Sequence, residues 1–401
     1  RITRPLRRRR DGSFEEVSWD DALDRIASEL RRVRAEHGPR SVFYYAASGT
    51  KGLMNSVGPA FFRMYGGYTG IYGDLCWPAG LEATRLTLGA NEHSAPWDLA
   101  GARLVVFWGK NPAETNIHQM PFVEEALAAG GRMIVIDPRR TETAERAELL
   151  VQPRPGSDGA LALAVAHVLF RDGLADRDFL EARVTGWEAY RERVAAHTPE
   201  WAERVTGVPA RYVERLGRTL GTVQPATICA GYGMQRYTNG GQTMRAILAL
   251  AVLTGNVGKP GGGWQYANLQ SAVFDEVKDP LALYPPEERG GGPGEEGLGE
   301  EGLGEEGLGE GGHEERDGER GRAVDGEPRI AVSTARLGRD MGALEDPPLK
   351  FAWVERGNPC TSNPETRVVL EAFRALDFRV VVDQFMTDTA RETVFAVTSP
   401  L

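Results

Sequence analysis

Short apolar runs alternate with helical patterns along nearly the whole chain, and that alternation restricts it to an α/β fold built on parallel sheets. Ser18 is placed to cap a helix whose first turn carries Asp20 and Asp21. Ala22, Ile26, Leu30 and Val33 follow at helical spacing, and Gly38-Pro39 ends the pattern. Residues 42–46 then read as a buried strand. The grammar repeats: a strand over 103–108, a helix over 121–129 broken by Gly130-Gly131, and a strand over 133–136. Further strands are expected over 149–152, 226–230, 351–355 and 379–382, with helices over 160–170 and 242–253.

At 401 residues the chain exceeds one ordinary core, which predicts two or three α/β lobes. We expect a first lobe over 1–97 that returns at 328–401, and a second over 98–286. Residues 287–327 break the pattern. Gly-Glu-Glu-Gly-Leu recurs there in tandem from Gly294, Gly299 and Gly304. Glycine carries a large ordering entropy, paired glutamates repel, and little apolar surface offsets either, so a solvated, disordered insertion is expected. No EF-hand spacing supports calcium binding by those glutamates. The segment holds 15 acids against 4 bases, so the net charge of −10 lies almost entirely within it and the remainder is close to neutral. That balance excludes a nucleic-acid surface, the short run Arg7-Arg8-Arg9-Arg10 notwithstanding. No apolar run is long enough to span a bilayer. Cys76, Cys229 and Cys360 are too far apart for a local iron–sulfur or zinc site, and the six histidines are scattered.

In open α/β sheets ligands bind beyond the carboxyl ends of the strands. Three successive strand ends carry nucleotide-compatible loops: Gly109-Lys110-Asn111-Pro112-Ala113-Glu114-Thr115 after the first, Asp137-Pro138-Arg139-Arg140-Thr141 after the second, and Pro155-Gly156-Ser157-Asp158 after the third. Glycine admits a phosphate closely, an acid holds ribose hydroxyls or the amidine edge of a guanine, and an arginine holds a phosphate or stacks on a base. Each loop alone has a plainer reading. Asp137 and Asp158 are equally suited to capping the next helix, and Asn111-Pro112 to a turn. No GxGxxG accompanies them.

These blocks in this order resemble the dinucleotide signature of the dimethyl-sulfoxide-reductase superfamily of molybdopterin oxidoreductases. Gly231-Tyr232-Gly233-Met234-Gln235, Leu253-Thr254-Gly255-Asn256-Val257-Gly258-Lys259-Pro260-Gly261-Gly262-Gly263, Gly357-Asn358-Pro359 and Asp383-Gln384-Phe385-Met386-Thr387-Asp388-Thr389-Ala390 continue it. The resemblance runs from residue 1 to about 395. It implies two Rossmann-like parallel-sheet lobes related by approximate pseudo-symmetry, and two molybdopterin guanine dinucleotides around one Mo or W. By it, Gly109, Asn111, Thr115, Asp137, Arg139, Thr141, Gly156 and Asp158 hold a dinucleotide. Ser48, Gly49, Gly233, Met234, Gln235, Gly357, Asn358, Met386 and Thr387 line the pterins. The glycine-rich 255–263 reads as tight turns or as a close cofactor approach.

Within Tyr72-Gly73-Asp74-Leu75-Cys76-Trp77-Pro78-Ala79-Gly80, Cys76 stands where the family presents its metal ligand, and a thiolate is a soft, strong donor suited to Mo or W. Cys229 and Cys360 read as packing. Formate dehydrogenases of the family follow the ligand with His, a proton handler; here Trp77 follows. The resemblance therefore implies a respiratory-type reductase of a small oxo- or sulfur-containing substrate, with an iron–sulfur electron-transfer subunit as partner. Formate oxidation is the second reading and hydration at tungsten a third. From another class, a metal-free electron-transfer or scaffold subunit would retain the fold. A [4Fe-4S] cluster is expected only in a segment ahead of Ile2, and the family's C-terminal β-barrel-like domain only beyond this chain.

Overall fold

The computed structural model describes residues 1–47, 57–73, 75–91, 93–267 and 331–397. Ser48, Gly49 and the acidic repeat lie outside the described residues. In chain order the strands are β1 (Leu6–Arg8), β2 (Phe14–Glu16), β3 (Val42–Ala46), β4 (Gly70–Tyr72), β5 (Leu104–Trp108), β6 (Arg132–Ile136) and β7 (Leu149–Val151). They continue as β8 (Ala226–Ala230), β9 (Gly263–Gln265), β10 (Ala331–Ser333), β11 (Phe351–Glu355), β12 (Phe378–Val382) and β13 (Phe395–Val397). The chain divides into two units: one runs to Leu75 and is completed by the C-terminal strands, and the other begins at Cys76.

The second unit carries a five-stranded sheet in the order β7-β6-β5-β8-β9, parallel throughout. Alternate residues of β5 face opposite cores. Leu104, Val106 and Trp108 pack on one side with Ile134, Ile136 and Leu161, while Val105 and Phe107 pack on the other with Met133, Val135 and Cys229. A strand covered on both faces must be apolar at every position, so these runs lack a polar alternation. Each such side chain contributes about 1.5–3 kcal/mol on burial. Strand order reverses between β5 and β8, so the crevice beyond their carboxyl ends is the switch point where such sheets bind ligands.

The first unit carries a six-stranded sheet, β2-β1-β13-β12-β11-β3. Its four central and edge strands β3, β11, β12 and β13 are parallel, and the hairpin β1–β2 joins antiparallel. A short parallel pair, β4 with β10, adjoins β3 through a bridge between Phe43 and Thr69. Helix Trp19–His37 buries Ala22, Ile26, Leu30 and Val33, and the Ser18 side chain accepts from the Asp21 amide at 3.0 Å.

The expected helices occur as Met120–Ala128, Asp158–Arg171 and Gly240–Leu253. Four helices between Arg177 and Thr222 were not anticipated from the sequence, nor were helix Pro78–Leu88 and the short strands β2, β4, β9, β10 and β13. The unit boundary falls at Leu75/Cys76, ahead of the expected 97/98. The reason is local packing. Helix Pro78–Leu88 lies in the second unit, where Trp264 Nε1 donates to Thr84 Oγ1 at 3.1 Å and Tyr266 closes over Gly80.

Candidate active site

The crevice begins where β5 and β8 end. The Gly231 amide donates to Trp108 O at 2.8 Å, and a Cβ on Gly231 would fall 1.8 Å from Gly109 O. Glycine is required here by that close approach, since the two strand ends touch. Gly109 itself has φ 59°, the left-handed region, and lies under the buried Met234. Gly233 is exposed on the same turn.

The loop after β5 is tied to the loop after β6 through one threonine. Thr143 Oγ1 donates to Asn111 Oδ1 at 2.7 Å and accepts from the Ala113 amide at 3.1 Å. Thr115 Oγ1 donates to Asn111 O at 2.9 Å. Asp137 Oδ1 accepts from the Arg139 amide at 2.8 Å, which leaves the Arg139 side chain exposed. Thr141 caps the turn Glu142–Glu145, accepting from the Ala144 amide at 3.2 Å.

The first unit repeats four of these five bonds, all but that of Thr115. Thr389 Oγ1 donates to Asn358 Oδ1 at 2.6 Å and accepts from the Cys360 amide at 3.1 Å. Asp383 Oδ1 accepts from the Phe385 amide at 2.9 Å, and Thr387 caps the next turn through the Ala390 amide at 3.2 Å. Gly357 leads into this loop, and Met386 packs against the first unit's core. Thr143 and Thr389 were missed in the sequence. The signal for both is the shared Thr-x-Thr spacing after the strand that Asp137 or Asp383 follows.

Asp158 opens helix Asp158–Arg171 without capping it. It is 6% exposed, and its Oδ1 accepts from Trp108 Nε1 at 2.8 Å. Burial pushes its carboxyl above the ordinary range, only partly opposed by the Trp108 bond. A desolvated carboxylate held by one neutral donor remains a strong acceptor for a ligand. Gly156, with φ 83°, turns the chain into it.

Cys76 is partly buried at the start of the second unit. Gln235 Nε2 donates to Cys76 O at 2.5 Å, and Gln235 Oε1 accepts from the Gly80 amide at 3.0 Å. Tyr266 Oη donates to Trp77 O at 3.0 Å. Tyr232 stands edge-on to Tyr266 with ring centroids 5.0 Å apart. Burial raises both phenols, and the neighbouring Cys76 adds to the rise. His93 lies between Trp264 O and Asn91 Oδ1, and burial lowers its titration point. Cys229 is fully buried and its thiol is pushed up to about 12, while Cys360 is buried among apolar neighbours. Among the described residues no group of three or more His, Cys, Asp or Glu could hold a metal ion, and no helix is long and apolar enough to cross a membrane.

The profile of the molybdopterin oxidoreductase family matches residues 1–393. The chain is 38% identical over 292 residues to the "Probable dimethyl sulfoxide reductase chain YnfF" of Escherichia coli (strain K12), covering 65% of this chain and 36% of that protein. It is 34% identical over 266 residues to formate dehydrogenase H of the same organism, covering 64% and 37%. Among solved structures, acetylene hydratase from Pelobacter acetylenicus superposes with a TM-score of 0.66 at 22% identity, over 99% of this chain and 55% of that one, which is a likeness of fold. The chain thus spans about half or less of the length of these relatives. Two parallel-sheet units with matching strand-end loops, and a family profile that covers both, lead to one assignment: this chain belongs to the molybdopterin oxidoreductases of the dimethyl-sulfoxide-reductase superfamily.

Proposed function

We propose that this chain is part of the catalytic subunit of a Mo- or W-dependent oxidoreductase that binds two molybdopterin guanine dinucleotides and reduces a small oxo- or sulfur-containing substrate. The observation that carries the reading is the duplicated loop. Asn111 with Thr143, and Asn358 with Thr389, hold the same bonded turn beyond parallel strands in each unit, as two similar ligands would require. In this reading Asp158 accepts from the amidine edge of a guanine, Asp137 takes ribose hydroxyls, and the exposed Arg139 takes a phosphate or stacks on the base. Gly109, Gly156 and Gly233 let backbone approach the ligand, and Thr115 and Thr141 hold the loops that meet it. Met234 and Gln235 in one unit, and Gly357, Asn358, Met386 and Thr387 in the other, line the pterins, together with Ser48 and Gly49, which lie outside the described residues.

A single thiol, Cys76, fits a metal that brings its remaining ligands with its cofactor. When bound, that cofactor supplies two-electron oxygen-atom or sulfur-atom chemistry at the metal. Electrons would arrive through an iron–sulfur relay, in a partner subunit or in a [4Fe-4S] site built from cysteines other than the three here. The second reading, formate oxidation, is favoured by the likeness to formate dehydrogenase H. Against it, Trp77 follows the proposed ligand and has no proton to exchange near neutral pH.

Metal analysis and acid release of GMP from the purified protein test the proposal. Two GMP per metal are expected, and Asp158→Ala should lower the GMP retained, since the guanine edge loses a charge-assisted acceptor of roughly 1.5–3 kcal/mol. Protein with neither metal nor GMP would leave the scaffold reading. Equal GMP in variant and parent would return Asp158 to a purely structural acid. Reduction of sulfoxides and N-oxides, compared with formate oxidation under a common dye acceptor, separates the two enzymatic readings.

A further inference from the structure

The proposed metal ligand sits in a loop that the second unit grips from both sides. Trp77 occupies the N-cap position of helix Pro78–Leu88 without a capping side-chain bond, so the first-turn amides of that helix need partners from elsewhere. Gln235, 7% exposed on the turn Tyr232–Arg236 after β8, provides one. Its amide oxygen takes the Gly80 amide while its amide nitrogen donates to the Cys76 carbonyl. An N–H and a carbonyl dictate opposite ends of the amide, so its orientation follows from the network. The Gln235 backbone is itself confined: a Cβ on Gly240 would fall 2.0 Å from Gln235 O. Tyr266 completes the grip. Its hydroxyl holds Trp77 O, and its ring lies so close over Gly80 that a Cβ there would fall 2.3 Å from Cζ.

We propose that Gln235 is a positioning residue that fixes the Cys76–Gly80 turn, so that Cys76 presents its sulfur at one place and one angle, with Tyr266 as its second support. The inference rests on the reading of Cys76 as the metal ligand and adds to it. A donor atom must be held within about half an ångström of its working position by groups behind it, and a loop entering a helix through Pro78 has no strand pairing to do so. Gln235 acts through the Cys76 backbone, touching neither the reacting atoms nor the substrate. This role replaces the pterin-lining part given to Gln235 above. A lining residue would hold cofactor, whereas a clamp would hold the thiol.

The test uses cofactor-loaded Gln235→Leu, which removes both bonds, and Gln235→Glu, which keeps the acceptor for Gly80 and sets an oxygen against the Cys76 carbonyl. Tyr266→Phe is the milder variant, keeping the ring and losing only the bond to Trp77. Cys76→Ala runs in parallel. The expected result is parental GMP content in all of them, loss or broadening of the thiolate scatterer at the metal absorption edge in the Gln235 variants, and a shifted metal potential. Their kcat should fall by about 10–100-fold with KM little changed, the scale typical of groups behind a metal ligand. In cofactor-free protein, alkylation of Cys76 by iodoacetamide should rise by about tenfold in Gln235→Leu as the turn opens. The buried Cys229 and Cys360 serve as internal controls. Parental sulfur shell and alkylation rate in the Gln235 variants, with sulfur lost in Cys76→Ala, would overturn the clamp and leave the ligand reading standing. Loss of GMP in Gln235→Leu would overturn it in favour of pterin lining. An unchanged sulfur shell in Cys76→Ala would sink the ligand reading and the clamp together. Should Gln235→Leu fail to fold, Tyr266→Phe decides by the same measurements, a parental spectrum and alkylation rate counting against the clamp.

Discussion

Asp158 is a carboxyl that the fold desolvates and holds with the single neutral donor Trp108 Nε1. Its folded-state pKa is raised above 3.8 because burial disfavours the charged form. Stability linked to it is therefore fully present below about pH 3.8 and is lost as pH rises through the shifted value. Asp158→Asn keeps an oxygen for Trp108 Nε1 and carries no charge, so the cofactor-free variant should melt above the parent near neutral pH. The two should converge as both become acidic. Melting temperature followed against pH checks this, and a parent that gains stability with rising pH relative to the variant contradicts it. Gly231 is constrained differently. Any side chain there meets Gly109 O, part of a neighbouring strand end that cannot rotate away. Gly231→Ala should cost about 1–3 kcal/mol in urea unfolding, and wild-type stability would show that the crevice is looser than the contact implies.

At the scale of elements, the unit that recurs is a strand, a turn held by asparagine and threonine, and a second strand followed by aspartate. In each copy the side-chain bond crosses between the loops after two adjacent parallel strands, so it fixes their separation as well as their shapes. Double-mutant cycles with Asn111→Ala and Thr143→Val, and separately with Asn358→Ala and Thr389→Val, should each give a coupling of about 1 kcal/mol. Comparable couplings in the two units would support a shared design, while a coupling near zero in one would mark its loop as held by something else. The strand ends themselves were legible in the sequence, because a five-residue apolar run closed by Gly or Asp leaves little choice. The threonine bonds were not, since Thr143 lies 32 positions from Asn111 and Thr389 lies 31 from Asn358.

For the molecule as a whole, the chain crosses from one unit to the other at Cys76, the residue proposed to bind the metal, and the C-terminal strands return to complete the first sheet. A discontinuous unit of this kind depends on its late strands. β11 and β12 pair with each other and β11 with β3, so the first sheet cannot form from the N-terminal part alone. The acidic repeat precedes that return and lies outside the described residues. Its composition alone predicts that deleting residues 291–312 leaves cofactor content and melting temperature nearly unchanged. A melting temperature lowered by several degrees would mean that the repeat packs.

By itself the sequence determined the fold class and the order of the strand-end loops. These depend on local properties: apolar runs long enough to be buried on both faces, with glycines and acids at their ends. Cys76 was singled out as the proposed ligand only by the family resemblance. Only the tertiary structure decided what the side chains at those positions touch. It bonded Asp158 to Trp108 where a helix cap was equally plausible, brought Gln235 to the Cys76 turn from across 159 positions of chain, and set Tyr266 over Gly80. Such partners are chosen when parallel strands distant in sequence are laid side by side and their loops gather at one edge, and no local pattern records that juxtaposition.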